Sequence, residues 1–290
     1  MYAREYMKRT QKENVGEVVE KFAHKKSLGQ NFLTSDVVPN WLTLAGEVAA
    51  HDIVLEIGPG TGALTNSLLQ TGARVVAIET DSRAVVILEE KFSEEILSGK
   101  LTLIKDDVRS LDIKKLGLND HEFKVVANIP YYLSGFLLRT LLETTTQPSL
   151  LAFLMQKEVV ARIARDKKES ILSLSVKAFG EPKYVKTVSR GHFNPPPKVD
   201  SAILLIKNIS RDSFASKSVQ DLYFELLHLG FGQKRKQLLS NFSHKYDRFT
   251  LTSLFTTLNL KTTVRAEDIP LATWINITHN LHSVPKKNTA

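Results

Sequence analysis

The apolar residues of this 290-residue chain recur in short blocks that alternate between two periods. Asp52–Ile57 (DIVLEI), Arg74–Glu79 (RVVAIE), Leu101–Lys105, Lys124–Asn128 and Leu150–Met155 are brief, nearly continuous apolar runs. Runs of that length predict strands buried on both faces. Between them, Asp36–Ala49, Ala63–Gln70, Ser82–Phe92 and Leu133–Glu143 repeat their apolar positions at helical spacing, the third behind Asp81 or Ser82 as a cap. Strands alternating with helices predict an α/β fold with a parallel sheet covered by helices on both faces. Tyr184–Ser189 and Ala202–Lys207 flank a Pro-rich loop and are expected to complete the sheet as an antiparallel pair. Beyond Asn208 the strand signal stops, and Val219–Leu229, Leu251–Leu258 and Leu271–Leu281 predict a small all-α domain. The expected partition is a basic arm over 1–26, the sheet domain over 27–207 and a helical domain over 208–290.

Composition narrows the classes. At 42% hydrophobic and 24% charged residues the chain reads as an ordinary globular protein. No apolar run reaches the about 18 residues of a membrane span. The first 20 residues carry Glu5, Glu13, Glu17 and Glu20 and no apolar centre, so they read as neither a secretory signal nor a transit peptide. With no cysteine there is no disulfide, no thiol nucleophile and no Cys-based zinc site, and no metal is expected. A reducing cytoplasm is the expected compartment. No heptad seam appears, so a monomer is expected.

The charge is split along the chain. Residues 31–156 hold 10 basic and 16 acidic side chains, whereas residues 157–290 hold 22 and 11. A basic second part points to a polyanion, nucleic acid first. Arg162, Arg165, Lys167 and Lys168 form one cluster, Lys198 closes another, and Lys234, Arg235 and Lys236 a third. Phe179, Tyr184, Phe193 and Phe231 are interleaved with them. Cations mixed with aromatic rings suit RNA, which offers phosphates and unstacked bases together.

The first predicted strand ends in Glu56-Ile57-Gly58-Pro59-Gly60-Thr61-Gly62, directly before a helix. Glycines there let backbone approach a ligand, and the helix start adds bare N–H groups. Glu79 ends the second strand 21 residues after Gly58, where a carboxylate can accept both hydroxyls of a ribose. These residues alone leave two readings open. Gly58-x-Gly60-x-x-Ala63 fits the dinucleotide fingerprint of an NAD oxidoreductase. Pro59 between the glycines and Glu56 before them lean towards S-adenosylmethionine, which has ribose and adenine but no phosphate.

The fourth strand ends in Asn128-Ile129-Pro130-Tyr131. An adenine N6 amine is a poor nucleophile because its lone pair is delocalised into the ring. Acceptors on both N–H bonds favour the pyramidal form whose lone pair can attack. The Asn128 amide oxygen and a carbonyl near Ile129–Pro130 are candidates for those acceptors. Pro130 stiffens the turn, and Tyr131 offers a face for an extruded base. The rate would come mainly from proximity and alignment.

Together with Leu28–Leu33, Lys105-Asp106-Asp107-Val108 and Phe193-Asn194-Pro195-Pro196-Pro197-Lys198-Val199-Asp200-Ser201-Ala202, these motifs resemble those of the ribosomal RNA adenine N6-dimethyltransferases, over about Lys25 to Leu281. Within that family the small-subunit branch is the nearer. The resemblance implies a Rossmann-like S-adenosylmethionine-dependent methyltransferase sheet with a helical, RNA-binding C-terminal domain. It implies that Asn31 and Leu33 contact the cofactor, Gly58 and Gly60 cradle it, and Gly58 lies under its methionine part. Glu79 would hold the ribose, Asp107 the cofactor's adenine amine, and Asn128 the space between cofactor and target. Phe193 would stack on the flipped adenine opposite Tyr131. Two departures stand out: Thr80 replaces a larger apolar residue, and Gly135-Phe136 replaces a small hydroxyl residue with proline.

The implied reaction is dimethylation of N6 on two adjacent adenosines in the 3′-terminal hairpin of small-subunit (16S) ribosomal RNA, with a role in subunit biogenesis. The partner would be that RNA, or the immature small subunit. The alternative is the macrolide-resistance type of methylase, which modifies large-subunit RNA. A non-catalytic assembly checkpoint is compatible with either. An NAD oxidoreductase is disfavoured, because no paired His/Asp or Tyr/Lys set is evident and Asn128–Tyr131 would have no purpose.

Overall fold

The structure, a computed structural model, describes residues 31–110, 112–233 and 235–287. The expected arm over 1–26 lies outside the described residues. The chain divides into two compact units. The first takes the residues up to Ser134, Pro148–Lys157 and Val185–Leu205. The second takes Gly135–Gln147, Glu158–Tyr184 and the chain from Ile206 on. Two of its three segments interrupt a stretch that a linear reading assigns wholly to the sheet.

The strands expected from the apolar runs are present: β2 (Ile53–Ile57), β3 (Arg74–Glu79), β4 (Leu101–Lys105), β5 (Lys124–Asn128) and β6 (Leu150–Gln156). With β7 (Glu181–Val188) and β9 (Ser201–Lys207) they form one sheet in the order β4-β3-β2-β5-β6-β9-β7. The pairs β2–β3, β3–β4, β2–β5 and β5–β6 are parallel. Val54, Leu55, Val75, Val125, Val126 and Leu151 are fully buried, as strands covered on both faces require. Each such side chain contributes about 1.5–3 kcal/mol relative to exposure.

Two helices cover the start of the sheet. Helix α1 (Val37–Ala45) buries Val38 and Leu42, and α2 (Ala63–Gln70) buries Leu64 and Leu68. A polar chain ties them together: Ser67 donates to Asn40 at 2.8 Å and lies 2.9 Å from the Thr43 hydroxyl. Helix α1 ends four residues earlier than its apolar spacing suggests, because Gly46 caps it and Glu47 turns to a φ of +49°. Helix α3 (Ser82–Lys91) has Asp81 as its cap, accepting from the Arg83 N–H, and is followed by a short α4 (Ser93–Leu97). A two-residue ribbon escapes the sequence pattern: β1 (Phe32–Leu33) pairs antiparallel with β8 (Phe193–Asn194), Leu33 opposite Phe193. It is too short for any periodicity, yet it fixes the segment before the first helix against the Pro-rich loop.

The second unit is helical: α5 (Ser134–Leu142), α6 (Lys157–Ala164), α7 (Ile171–Lys177), α8 (Lys217–Phe231), α9 (Leu238–Phe242), α10 (Arg248–Thr257) and α11 (Leu271–Leu281). The apolar spacing does not mark α6 or α7. Both are short, and α6 buries only Val160 and Ile163 amid charged residues. The start of α7 is set by Ser170 and Ser173, which cap each other reciprocally. Trp274 is fully buried, stacked on Phe231 and edge-on to Phe242. Tyr223 on α8 donates its hydroxyl to the Leu174 carbonyl on α7 at 3.1 Å. Replacing Tyr223 by Phe removes that bond with little change of shape. Chemical denaturation should then show a loss of about 0.5–1.5 kcal/mol; an unchanged midpoint would mean the bond does not hold α7 to α8.

Candidate active site

The parallel pairing brings the carboxyl ends of β2, β3, β4 and β5 to one edge of the sheet. Ligands of such sheets bind beyond those ends, where the strand order reverses. Here the reversal falls between β2 and β5, and an open cleft lies at the loops that follow the four strands. All eleven residues assigned from the sequence to cofactor or catalysis line it: Asn31, Leu33, Gly58, Gly60, Glu79, Asp107, Asn128, Ile129, Pro130, Tyr131 and Phe193.

The glycine turn is built around a carboxylate. Glu79 is buried at 5% exposure, and its Oε2 accepts the Gly60 N–H at 3.0 Å. Its Oε1 accepts the N–H groups of Thr80 and Asp81, each at 2.8 Å. Burial raises its pKa against the pull of those three donors. Gly58 has a φ of +69°, and a Cβ built on it would meet nothing within 4 Å. The space over Gly58 is therefore cleft. At Gly62, where φ is +81°, a Cβ would stand 2.4 Å from the Phe92 ring, so only glycine lets α2 start there.

Across the switch point, Asn128 closes β5. Its Nδ2 donates to the Asn31 carbonyl at 3.4 Å, which leaves Oδ1 as the acceptor of that amide. Pro130 follows at φ −57° and ψ 133°. The Tyr131 hydroxyl lies 2.7 Å from Ser201 Oγ and fixes the ring, while its carbonyl accepts the Ser134 hydroxyl at 2.9 Å. Phe193 lines the cleft but is only 4% exposed and belongs to the apolar core. Asp107 is held by Arg109, whose Nε donates to both carboxylate oxygens at 3.0 Å, and those bonds keep its pKa below the usual range.

Four of the cleft residues to which sequence reasoning gave no site role stand out. Phe32 arrives on the β1 ribbon. Arg109 pairs with Asp107. Tyr132 is 60% exposed at the cleft, and its one signal was the Tyr-Tyr doublet. Glu56 carried the plainest signal, an acid inside an otherwise apolar strand. It is 1% exposed; its Oε2 accepts the Thr65 hydroxyl at 2.7 Å, while Oε1 has no partner. Burial pushes its carboxyl up to about 8, and the neighbouring Glu79 charge adds to the effect.

Among the described residues, none of the basic residues assigned to RNA lines the cleft. Lys198 is exposed in the first unit. Arg162, Arg165, Lys167, Lys168, Arg235 and Lys236 are exposed in the second, and Lys234 lies outside the described residues. Arg165 sits over the Tyr184 ring at 3.6 Å. Lys168 is paired with Glu267 and, at 3.6 Å, with Asp268.

Residues 21–283 match the pattern of the Ribosomal RNA adenine dimethylase family. The chain belongs to that family. A curated relative from Fusobacterium nucleatum, named Ribosomal RNA small subunit methyltransferase A, is 34% identical over 260 residues, covering 88% of this chain and 97% of that protein. A solved dimethyladenosine transferase from Plasmodium falciparum superposes with a TM-score of 0.73 at 25% identity, over 86% of this chain and 97% of that one. The 23S rRNA methyltransferase ErmE superposes with a TM-score of 0.70 at 23% identity, over 87% of this chain and 99% of that one, a likeness of fold alone. Membership in the dimethylase family decides between the two readings that the glycine turn left open. Of the departures from the dimethylase pattern, Thr80 contributes its backbone N–H to Glu79, a bond indifferent to its side chain.

Glu56 gives this site a pH signature. In an unfolded chain its carboxyl ionises near 4.5, whereas in the folded, ligand-free protein it keeps its proton up to about 8. The stability this contributes is complete below 4.5 and is lost as pH rises through the folded value. Between about pH 5 and pH 8 the melting temperature should fall more steeply for the wild type than for Glu56→Gln, which cannot ionise. Parallel profiles would mean that Glu56 is already charged in the folded state.

Proposed function

We propose that this protein transfers methyl groups from S-adenosylmethionine to N6 of two adjacent adenosines in the 3′-terminal hairpin of small-subunit ribosomal RNA. The reading rests on one observation. Asn128, Pro130 and Tyr131 stand across a single cleft from Gly58 and Glu79, so one set can hold a base while the other holds a nucleoside cofactor. The curated relatives named for the small subunit favour that substrate over the large-subunit alternative.

The residues fit the cofactor. Gly58 leaves its space clear, Glu79 ends a strand where ribose hydroxyls would donate to it, and Asp107 is an acceptor for an adenine amine. When bound, S-adenosylmethionine supplies an electrophilic sulfonium methyl. The protein holds the nucleophile in line with it. Asn128 Oδ1 accepts one N6–H of the target adenine, and a backbone carbonyl at Ile129–Pro130 accepts the other. Tyr131, fixed through Ser201, stacks on the extruded base, with Phe193 on the opposite side. The proton leaves the amine after methyl transfer, when the nitrogen has become acidic, so no general base of matched pKa is required. Each round is favoured by placement and desolvation rather than by acid–base chemistry.

The basic residues would grip phosphates, acting on the immature small subunit in the cytoplasm, with the protein a monomer. Among the described residues no helix is long and apolar enough to cross a membrane. Asn128→Ala should abolish methyl transfer while S-adenosylhomocysteine still binds within a few-fold of wild type by calorimetry. Wild-type turnover in that variant would remove Asn128 from the reaction. Replacing Arg162 and Lys167 by Ala should reduce the salt dependence of RNA binding, by about 0.9 in log–log slope for each phosphate no longer neutralised. Lys168→Ala should change it least, because Glu267 and Asp268 already neutralise that side chain. An unchanged slope in the double variant would put the RNA face elsewhere, Arg235 and Lys236 being the next to test.

A further inference from the structure

One aromatic ring at the cleft has no part in the reaction above. Of the described aromatic residues that line the cleft, only Tyr132 is exposed, at 60%; Phe32 and Tyr131 are half-buried and Phe193 is buried. Its backbone is nevertheless fixed. Tyr131–Leu133 form one 3-10 turn, closed by the Leu133 N–H on the Pro130 carbonyl at 3.0 Å. The Ser134 hydroxyl braces the same turn by donating to the Tyr131 carbonyl at 2.9 Å. Consecutive side chains of such a turn point about 120° apart, so Tyr131 and Tyr132 cannot face the same base. Tyr131 is committed, with its hydroxyl 2.7 Å from Ser201 Oγ and its ring assigned to the extruded adenine. The Tyr132 ring is placed as firmly and has no such commitment.

The loop after β4 sets a charge beside it. Arg109 is the one cation among the described residues lining the cleft, and its side chain is 65% exposed. Asp107 takes its Nε and Nη2 and so fixes the guanidinium, while Nη1 is not used by that pair. Its charge is favoured by Asp107 first and also by the nearby Tyr132 phenol. A ring for a base and a cation for a phosphate are the two elements that hold a single-stranded nucleotide.

We propose that Tyr132 is the stacking platform for the second adenosine of the pair, the neighbour of the base held at Asn128, with Arg109 facing the phosphate of that neighbour. The inference rests on the functional reading above. Adjacent residues of one turn would then serve adjacent nucleotides of one strand. Tyr131 presents the base that reacts, and Tyr132 holds the next base in register. The site thereby reads a pair of bases rather than one, and an adenosine without a stacking neighbour is a poorer substrate. Tyr132 lies to one side of Tyr131 in the chain, so the platform serves a neighbour on one side of the target only.

The test uses small subunits whose RNA carries a synthetic 3′-terminal hairpin, either intact or with one adenosine of the pair made abasic, and kcat/KM is read for each adenosine separately. On intact RNA Tyr132→Ala should lower kcat/KM about tenfold for one adenosine, as expected for one lost base–aromatic stack, while Tyr132→Phe keeps wild-type values. For the wild type, one of the two abasic RNAs should show the same tenfold loss at the adenosine that remains. Tyr132→Ala should methylate that adenosine equally well in abasic and intact RNA. S-adenosylhomocysteine should bind Tyr132→Ala and the wild type alike by calorimetry, which also establishes that the variant is folded. Equal losses on abasic RNA in wild type and variant would overturn the proposal, because ring and neighbouring base would then act independently. Weakening of S-adenosylhomocysteine binding by the same factor as turnover would assign the ring to the cofactor and overturn it too. No methylation of intact RNA by the wild type would overturn the functional reading itself, and the proposal with it.

Discussion

The site depends on the carboxylate of Glu79. It takes the N–H of Gly60 from the turn after β2 and the N–H groups of Thr80 and Asp81 from its own strand end. Three backbone donors on one buried acid fix the spacing between the loop after β2 and the loop after β3. The turn can be held open, with Gly58 bare above it, because this acid closes it from the side. Such a hold is rigid and leaves the other face of the turn to a ligand.

Around that point the fold supplies three further elements, each by a different physical route. Parallel register carries Asn128 to the edge of the sheet across the strand-order reversal. The β1–β8 ribbon brings Asn31, Phe32 and Leu33 to Phe193, across a long separation in sequence. The Tyr131–Ser201 hydrogen bond ties the loop after β5 to the start of β9. Apolar burial makes the sheet, but these few polar bonds decide where its loops stand. The two acids on this buried floor differ: Glu79 is held by three backbone donors, whereas Glu56 is engaged by Thr65 through one oxygen only and burial raises its pKa.

The sheet was legible in the sequence because buried parallel strands announce themselves as unbroken apolar runs, and β2 to β6 lie where those runs do. Glu79 and Asn128 were legible for the same reason: once the strands are placed, their ends are placed. Asp107, two residues past the end of β4, was reached only through the family resemblance. Helices α6 and α7 were not, since two buried residues in the eight-residue α6 make no clear period. The β1–β8 ribbon was invisible because two-residue strands have no pattern. Glu56 was in plain view as an acid within an apolar strand, but its lone unsatisfied oxygen needed coordinates. Lys168 shows the reverse limit: a basic cluster reads as free charge in sequence, although one of its members is engaged by Glu267 and Asp268.

The most direct test is methyl transfer from labelled S-adenosylmethionine to small ribosomal subunits that lack the modification, followed by mass spectrometry of the nucleosides. The account predicts label in N6,N6-dimethyladenosine on small-subunit RNA, at two adjacent positions near its 3′ end. Label confined to large-subunit RNA, or no transfer while S-adenosylhomocysteine binds, would contradict it.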